Sequence, residues 1–253
     1  MKKEANRIKS LFVAYILTLV FNFLSAIGFL TGMSQKDLSD KYHNFLTPSS
    51  QAFSIWSVIY GLLFLLLIIY YFKWSYKIKE EIDLIYPFLM GTFIFNILWT
   101  ILFTNDLIGL STIAIIIYAL LLLVISHYLG KLDDGLSLSK FTFGIYTGWL
   151  IIASLVNIAA FFKKTQFGVQ APNALVSGLV LIVISALAIF LVRKDKNPFI
   201  LLAISWAAYF IYTANHNNSA SPEQMIMAVI AIAVSVILAL VFIYQSYQII
   251  KKP

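Results

Sequence analysis

Cysteine is absent from the 253-residue chain, which excludes disulfides, thiolate metal sites and cysteine nucleophiles. Charge is scarce too. Eighteen basic and 11 acidic residues make up 11% of the sequence, where a soluble domain carries about 25%. With 61% of its residues hydrophobic, the chain has far more apolar surface than a water-soluble fold of this length can cover. Disorder, a disulfide scaffold and a soluble enzyme are excluded together. Glycine-rich phosphate loops are missing. The three histidines, His43, His127 and His216, fall at different expected depths, so a bis-histidine haem or metal site is not expected.

What the sequence has in excess is long apolar runs. A bilayer core of about 30 Å needs roughly 20 helical residues at about 1.5 Å each. Eight segments qualify: 11–30, 52–72, 84–103, 107–129, 141–162, 174–192, 199–214 and 225–247. The expected fold is all-α, a polytopic transmembrane helix bundle with eight predicted spans. Uniform apolar runs do not match the alternating strands of a membrane barrel. The seventh run is the shortest, and Pro198 sits just before it, where a proline tolerates a helix start.

Lys and Arg alternate cleanly between connections. Fourteen of the 18 fall on the side of the two termini and four on the other. The positive-inside rule then places both termini in the cytoplasm, with the chain in the cell inner (cytoplasmic) membrane. The net charge of +7 reads as a topological signal, so membrane lipid is the expected partner and no nucleic acid is. The first span holds Asn22 and no A-x-A site follows it, so it reads as a retained helix.

Two connections are long. Residues 31–51 contain the helix-capping pattern Ser34-Gln35-Lys36-Asp37 and read either as a lid or as a plain surface crossing. Residues 163–173, with Gly168 and Pro172, mark the expected boundary between a five-helix part, 1–165, and a three-helix extension, 166–253.

No Asp, Glu, Lys or Arg lies within a predicted span. This argues against a proton-coupled carrier, a voltage sensor and a retinal Schiff base. No acid–base pair or metal cluster shares a depth, so neither an enzyme nor a bound cofactor is expected. The interior instead holds amides and rings. Asn22, Asn96 and Asn157 lie in the first, third and fifth spans; Asn96 and Trp99, and Tyr146 and Trp149, are i, i+3 pairs; Trp56 and Tyr60 are i, i+4. Such residues either bond neighbouring helices together or line an aromatic pocket for a flat apolar ligand. Gly91 and Gly148 read as helix-packing glycines.

Three segments in order resemble the tryptophan-rich sensory protein family, also called the translocator protein or peripheral benzodiazepine receptor family. Thr47-Pro48 followed by Phe53, Trp56 and Tyr60 is similar to its proline-containing loop and F-x-x-W-x-x-x-Y. Asn96, Trp99 and Phe103, then Gly109, resemble its N-x-x-W-x-x-x-F and turn. Tyr146, Trp149, Ala153 and Asn157 resemble its Y-x-x-W…A-x-x-x-N helix. The match covers roughly residues 10–162. It departs from the family where Ile145 replaces a proline, where the proline-rich loop is reduced to Pro48, and in the three further helices. The resemblance implies a membrane protein that binds a hydrophobic small molecule of the porphyrin or sterol class, for sensing or transport, and that often forms a homodimer. It places Trp56, Asn96, Trp99, Tyr146, Trp149 and Asn157 at the ligand. A permease for an uncharged solute and a structural assembly partner remain alternative readings. Trp206, Tyr209 and Thr213 on the seventh span either join this pocket or face lipid.

Overall fold

The structure, a computed structural model, describes residues 2–73, 75–132, 135–165, 173–217 and 219–251, with side chains from Asn6 onward. Gly168, Pro172 and the segment that begins the expected three-helix extension lie outside this set. Every regular element among the described residues is helical. They are α1 (Lys2–Ala26), α2 (Gln35–Lys41), a short 3-10 turn (Ser50–Ser54), α3 (Ile55–Phe72), α4 (Tyr76–Thr104), α5 (Ile108–Leu132), α6 (Leu138–Thr165), α7 (Ala174–Asp195), α8 (Phe199–Asn215) and α9 (Pro222–Ile250). Seven of them are long and apolar enough to cross a membrane, and α8, at 17 residues, is a shorter apolar helix. The chain is a multi-pass membrane protein with about eight spans.

Local chemistry sets the helix ends. The α1 helix stops at Ala26 because Gly28 adopts φ +70°, a left-handed turn that glycine enters without cost. In the following loop the Ser34 side chain accepts from Asp37 N–H, and the Asp37 carboxylate accepts from Ser34 N–H, so the capping pattern in the sequence does start α2. A second capping box, Ser221 with Gln224, opens α9 with Pro222 in its first turn.

Helices α1, α4, α5, α6 and α3 contact in that order, and α3 closes back on α1, giving a five-membered ring. The α6 helix is the most buried span and also faces outward onto α8, against which α9 and then α7 pack. Glycine permits this close approach. A Cβ at Gly148 would lie 2.3 Å from the Ile200 carbonyl oxygen, and one at Gly144 would lie 2.6 Å from Phe199 Cβ. The two helices therefore meet backbone to backbone.

The helices outrun the predicted spans. The α4 helix begins at Tyr76 rather than at residue 84, capped by Ser75. Glu81, Lys140 and Asp195, placed outside the spans by sequence, lie within helices and are buried. They form a polar layer at the face nearest the chain ends. There Tyr70 O–H donates to Glu81, and Lys140 Nζ donates to the Gly135 and Lys196 carbonyls at 2.9 and 3.3 Å. His127 Nδ1 lies 2.8 Å from Asp195 Oδ1. The opposite face carries the 31–54 segment.

Candidate functional site

Inside the ring, mid-helix polar groups have no water to bond and must find one another. Asn22 Nδ2 donates to Asn96 Oδ1 at 2.6 Å, and Asn96 Nδ2 donates to Tyr118 O–H at 2.7 Å. The Tyr118 and Tyr146 hydroxyls bond each other. Asn96, Tyr118 and Tyr146 are fully buried. This cluster ties α1, α4, α5 and α6 together.

Above it, toward the 31–54 segment, lies an aromatic pocket between α3, α4 and α6. Trp56, Trp99, Trp149 and Asn157 line it, with Phe53, Phe103 and Val156. The Trp56 indole stands edge-on to Trp149, centroids 6.2 Å apart at 84°, and Phe53 stands edge-on to Trp149 at 5.8 Å. On the opposite wall Trp99 stacks on Phe103 at 5.4 Å. Edge-to-face and offset pairs suit aromatic quadrupoles, so these walls hold one another in place.

Two indole N–H groups differ in their partners. Trp99 Nε1 donates to Asn157 Oδ1 at 3.0 Å, while Asn157 Nδ2 donates to Thr112 Oγ1 at 2.7 Å and to Ser111 Oγ at 3.1 Å. Trp149 Nε1 is buried with no partner among the described residues. In an apolar site an unpartnered donor favours a ligand that brings an acceptor.

The roof is the 31–54 segment: Gln35, Ser39, Tyr42 and Pro48 close the pocket from above. Three attachments hold it. Asp106, in the α4–α5 turn at φ +61°, accepts at Oδ2 from Lys41 Nζ (2.8 Å) and Tyr42 O–H (3.0 Å), and its Oδ1 lies 2.9 Å from Lys164 Nζ. Burial alone would raise the Asp106 carboxyl pKa; the hydrogen bonds from Lys41, Lys164 and Tyr42 outweigh it and hold the group below its ordinary value. Lys163 donates to the His43 carbonyl. From α8, Thr213 Oγ1 bonds Ser49 Oγ at 2.8 Å, the Phe210 carbonyl accepts from Ser49 N–H at 3.0 Å, and Trp206 Nε1 donates to the Ala52 carbonyl at 3.2 Å. Trp206 and Thr213 thus support the roof, while Tyr209 is 45% exposed on the outer surface.

Free space beneath the roof is about 50 Å³, room for a few water molecules at roughly 10–15 Å³ each on this measure. Pockets for drug-sized ligands run about 300–1,000 Å³. The rings fill the site as it stands, leaving no room for a flat ligand of tetrapyrrole size.

Of the residues singled out from sequence, Trp56, Trp99, Trp149 and Asn157 meet in the pocket wall. Asn96 and Tyr146 sit in the hydrogen-bonded cluster beneath it; Tyr146 still touches the wall through Trp56, at 6.0 Å between centroids. Tyr118 was not singled out, and Gln35 was named only as part of the capping pattern and not for the pocket. A tyrosine in the middle of an apolar span was the available signal for Tyr118. Phe53, Phe103 and Ala153 lay inside the recognised patterns but were not singled out.

The family model described as TSPO-like protein matches residues 8–244. It runs beyond the segments that carry the motifs and through α7, α8 and most of α9. No curated protein and no solved structure matches the chain.

Proposed function

This chain belongs to the TSPO-like protein family, and from that premise we propose that it binds a flat hydrophobic small molecule, of the tetrapyrrole or sterol class, in the pocket between α3, α4 and α6. The observation that carries the reading is the convergence of Trp56, Trp99 and Trp149 from three helices around one roofed space, with the Trp149 N–H unspent. Apolar walls supply affinity through burial, and the few polar groups orient the ligand. Loading requires the 31–54 segment to move, so the same motion reports occupancy to the membrane surface. That suits a sensor or a carrier. The reading assigns no catalytic step, keeps both termini in the cytoplasm and allows a homodimer.

The test is a titration of the purified, detergent-solubilised protein with protoporphyrin IX and, separately, with cholesterol, followed by tryptophan fluorescence. Saturable quenching by one of them, weakened about tenfold (about 1.4 kcal/mol) by Trp149→Phe or Asn157→Ala in a folded variant, is expected. Quenching that never saturates, or that neither substitution changes, would remove the pocket from consideration as the site.

A further inference from the structure

The roof is held differently along its length. Its second half, residues 45–54, is tied to α8 at four points. Asn215 Nδ2 donates to the Phe45 carbonyl at 3.1 Å. Ser49 bonds α8 twice, through its N–H to the Phe210 carbonyl and through its hydroxyl to Thr213 Oγ1. Trp206 Nε1 donates to the Ala52 carbonyl. Leu46, Thr47, Ala52 and Asn215 are all at most 4% exposed, so breaking these neutral bonds leaves polar groups unpaired where little water can reach them. The α8 helix does not give way in turn. Gly144 and Gly148 seat it on α6, and across its contact with α9 Ser205 and Ser235 each donate to the other's carbonyl, at 2.8 and 2.9 Å.

The first half is held loosely. The α2 helix rests on α4 and α1 and buries one side chain, Leu38. Gln35 Nε2 reaches Asn22 Oδ1 only at 3.4 Å and Thr100 Oγ1 only at 3.5 Å, outside the range of about 2.7–3.2 Å for a good bond. Lys41 and Tyr42 share Asp106, whose side chain is 32% exposed. The chain can bend on either side of α2. Gly32 sits at φ +76° with open space where a Cβ would be, and His43 lies outside any regular element, between the α2 cap Tyr42 and the hydrogen-bonded turn that Asn44 begins. Lys163 bonds the His43 carbonyl, so it pins the pivot and leaves α2 free to turn about it.

We propose that the roof is a hinged flap: residues 33–42 swing about Gly32 and His43, while α8 holds residues 45–54 as a fixed jamb. The proposal rests on the reading of the 31–54 segment as the cover of a binding pocket and names the part of it that moves. It also gives the C-terminal helices a task, since α8, braced by α9, carries the jamb. Gln35, Ser39 and Tyr42 leave the pocket with the flap, whereas Pro48 and Phe53 stay. The doorway lies over α4, on which α2 rests, and it uncovers the wall formed by Trp99 and Phe103.

The experiment uses the absence of cysteine, which makes every introduced thiol unique. Spin labels are placed at Lys36→Cys on the flap or at Gln51→Cys on the jamb, each against Leu110→Cys on α5, all three being exposed positions. Distances are read by double electron–electron resonance in phosphatidylcholine nanodiscs without ligand. Adding Asp106→Asn should give the Lys36 pair a second, longer-distance population and leave the Gln51 pair unchanged. Adding Trp206→Phe with Asn215→Leu should broaden the Gln51 pair. A disulfide between Ser49→Cys and Thr213→Cys, whose hydroxyls now lie 2.8 Å apart, locks the jamb to α8 and should leave the second Lys36 population in place. Gln51 moving together with Lys36, loss of the long population on locking, or a Lys36 distance that Asp106→Asn does not change would each overturn the flap. Because no ligand is present, a rigid flap beside saturable tryptophan quenching refutes this inference alone. A swinging flap without quenching refutes only the functional reading above.

Discussion

Gly148→Ala adds a single methyl where α6 meets α8, and its cost can be worked from the contact. The new Cβ would sit 2.3 Å from the Ile200 carbonyl oxygen and 2.8 Å from Ala203 Cβ. Close C···O contacts rest at about 3.3–3.6 Å, so the helices must part by about 1 Å. The obstructing atom is backbone, and no rotamer change relieves it. Overpacking of this kind costs about 1–3 kcal/mol, offset by up to about 1 kcal/mol of better helix propensity. The net loss of about 1–2 kcal/mol corresponds to a fall in Tm of about 2–8 °C for a chain of this size, read by tryptophan fluorescence during thermal unfolding in detergent. Two controls carry the same chemical change. At Gly61 nothing lies within 4 Å, so Gly61→Ala should hold or raise Tm. At Gly91 the nearest atom is the mobile end of Leu121 at 3.0 Å, so Gly91→Ala should be close to neutral. Were all three variants equally stable, the argument that α6 and α8 meet through their backbones would be wrong. Since α8 also supports the roof through Thr213, Phe210 and Trp206, Gly148→Ala should speed ligand exchange as well.

Asn157→Leu strips the buried Trp99 N–H of its acceptor and should cost about 1–3 kcal/mol in thermal unfolding. Adding Trp99→Phe should recover part of that loss, and strict additivity of the two changes would argue against the bond. Asp106→Asn keeps a residue that tolerates the left-handed turn while weakening the attachment of Lys41 and Lys164. Stopped-flow ligand association and dissociation should both accelerate by about threefold or more, with affinity changed much less; unchanged rates would mean the roof does not open there. The pH dependence has a definite sign. A carboxyl with a lowered pKa lends its attachment fully above the unlinked carboxylate value, about 3.9, and loses it as pH falls through the lowered value. The rate difference between wild type and Asp106→Asn should therefore hold from neutral pH down to about 4 and fade only as the pH falls below the ordinary carboxylate value. A difference that vanished between pH 7 and 6 would point to some other group.

The helical spans were legible because their apolar runs are set off by charge. How the helices pair was not. A helix that is apolar all round carries no stripe to say which face meets protein and which meets lipid, so the α1–α4–α5–α6–α3 ring left no trace in the periodicity. Gly148 was an exception, since a glycine in a membrane helix marks a close approach. The pocket wall was partly legible: Trp56, Trp99, Trp149 and Asn157 stood out as large or polar groups at helical spacing. Gln35 and Tyr42 did not, because a roof is assembled from a loop whose sequence signals only its own cap at Ser34. The buried layer of Glu81, Lys140 and Asp195 escaped for a different reason. Span-finding treats a charge as the end of a helix, whereas α4 and α6 continue through theirs and satisfy them internally.

That buried layer also bears on how the site opens. At the face nearest the chain ends, Lys140 and Glu81 are buried and hydrogen-bonded, and Asp195 is paired with His127. Pulling those helices apart would strand charge in an apolar setting, which is far more costly than the pairing is favourable. At the opposite face one of the roof's attachments is made by Lys41, Asp106 and Lys164, whose side chains are 45%, 32% and 34% exposed. Water can take the place of each partner as it leaves, so these attachments come apart at little cost. The pocket lies on that same side, directly under the roof. On the function proposed above, this difference in cost between the two ends would set the direction of opening: the charged layer as the fixed base, the 31–54 segment as the part that moves.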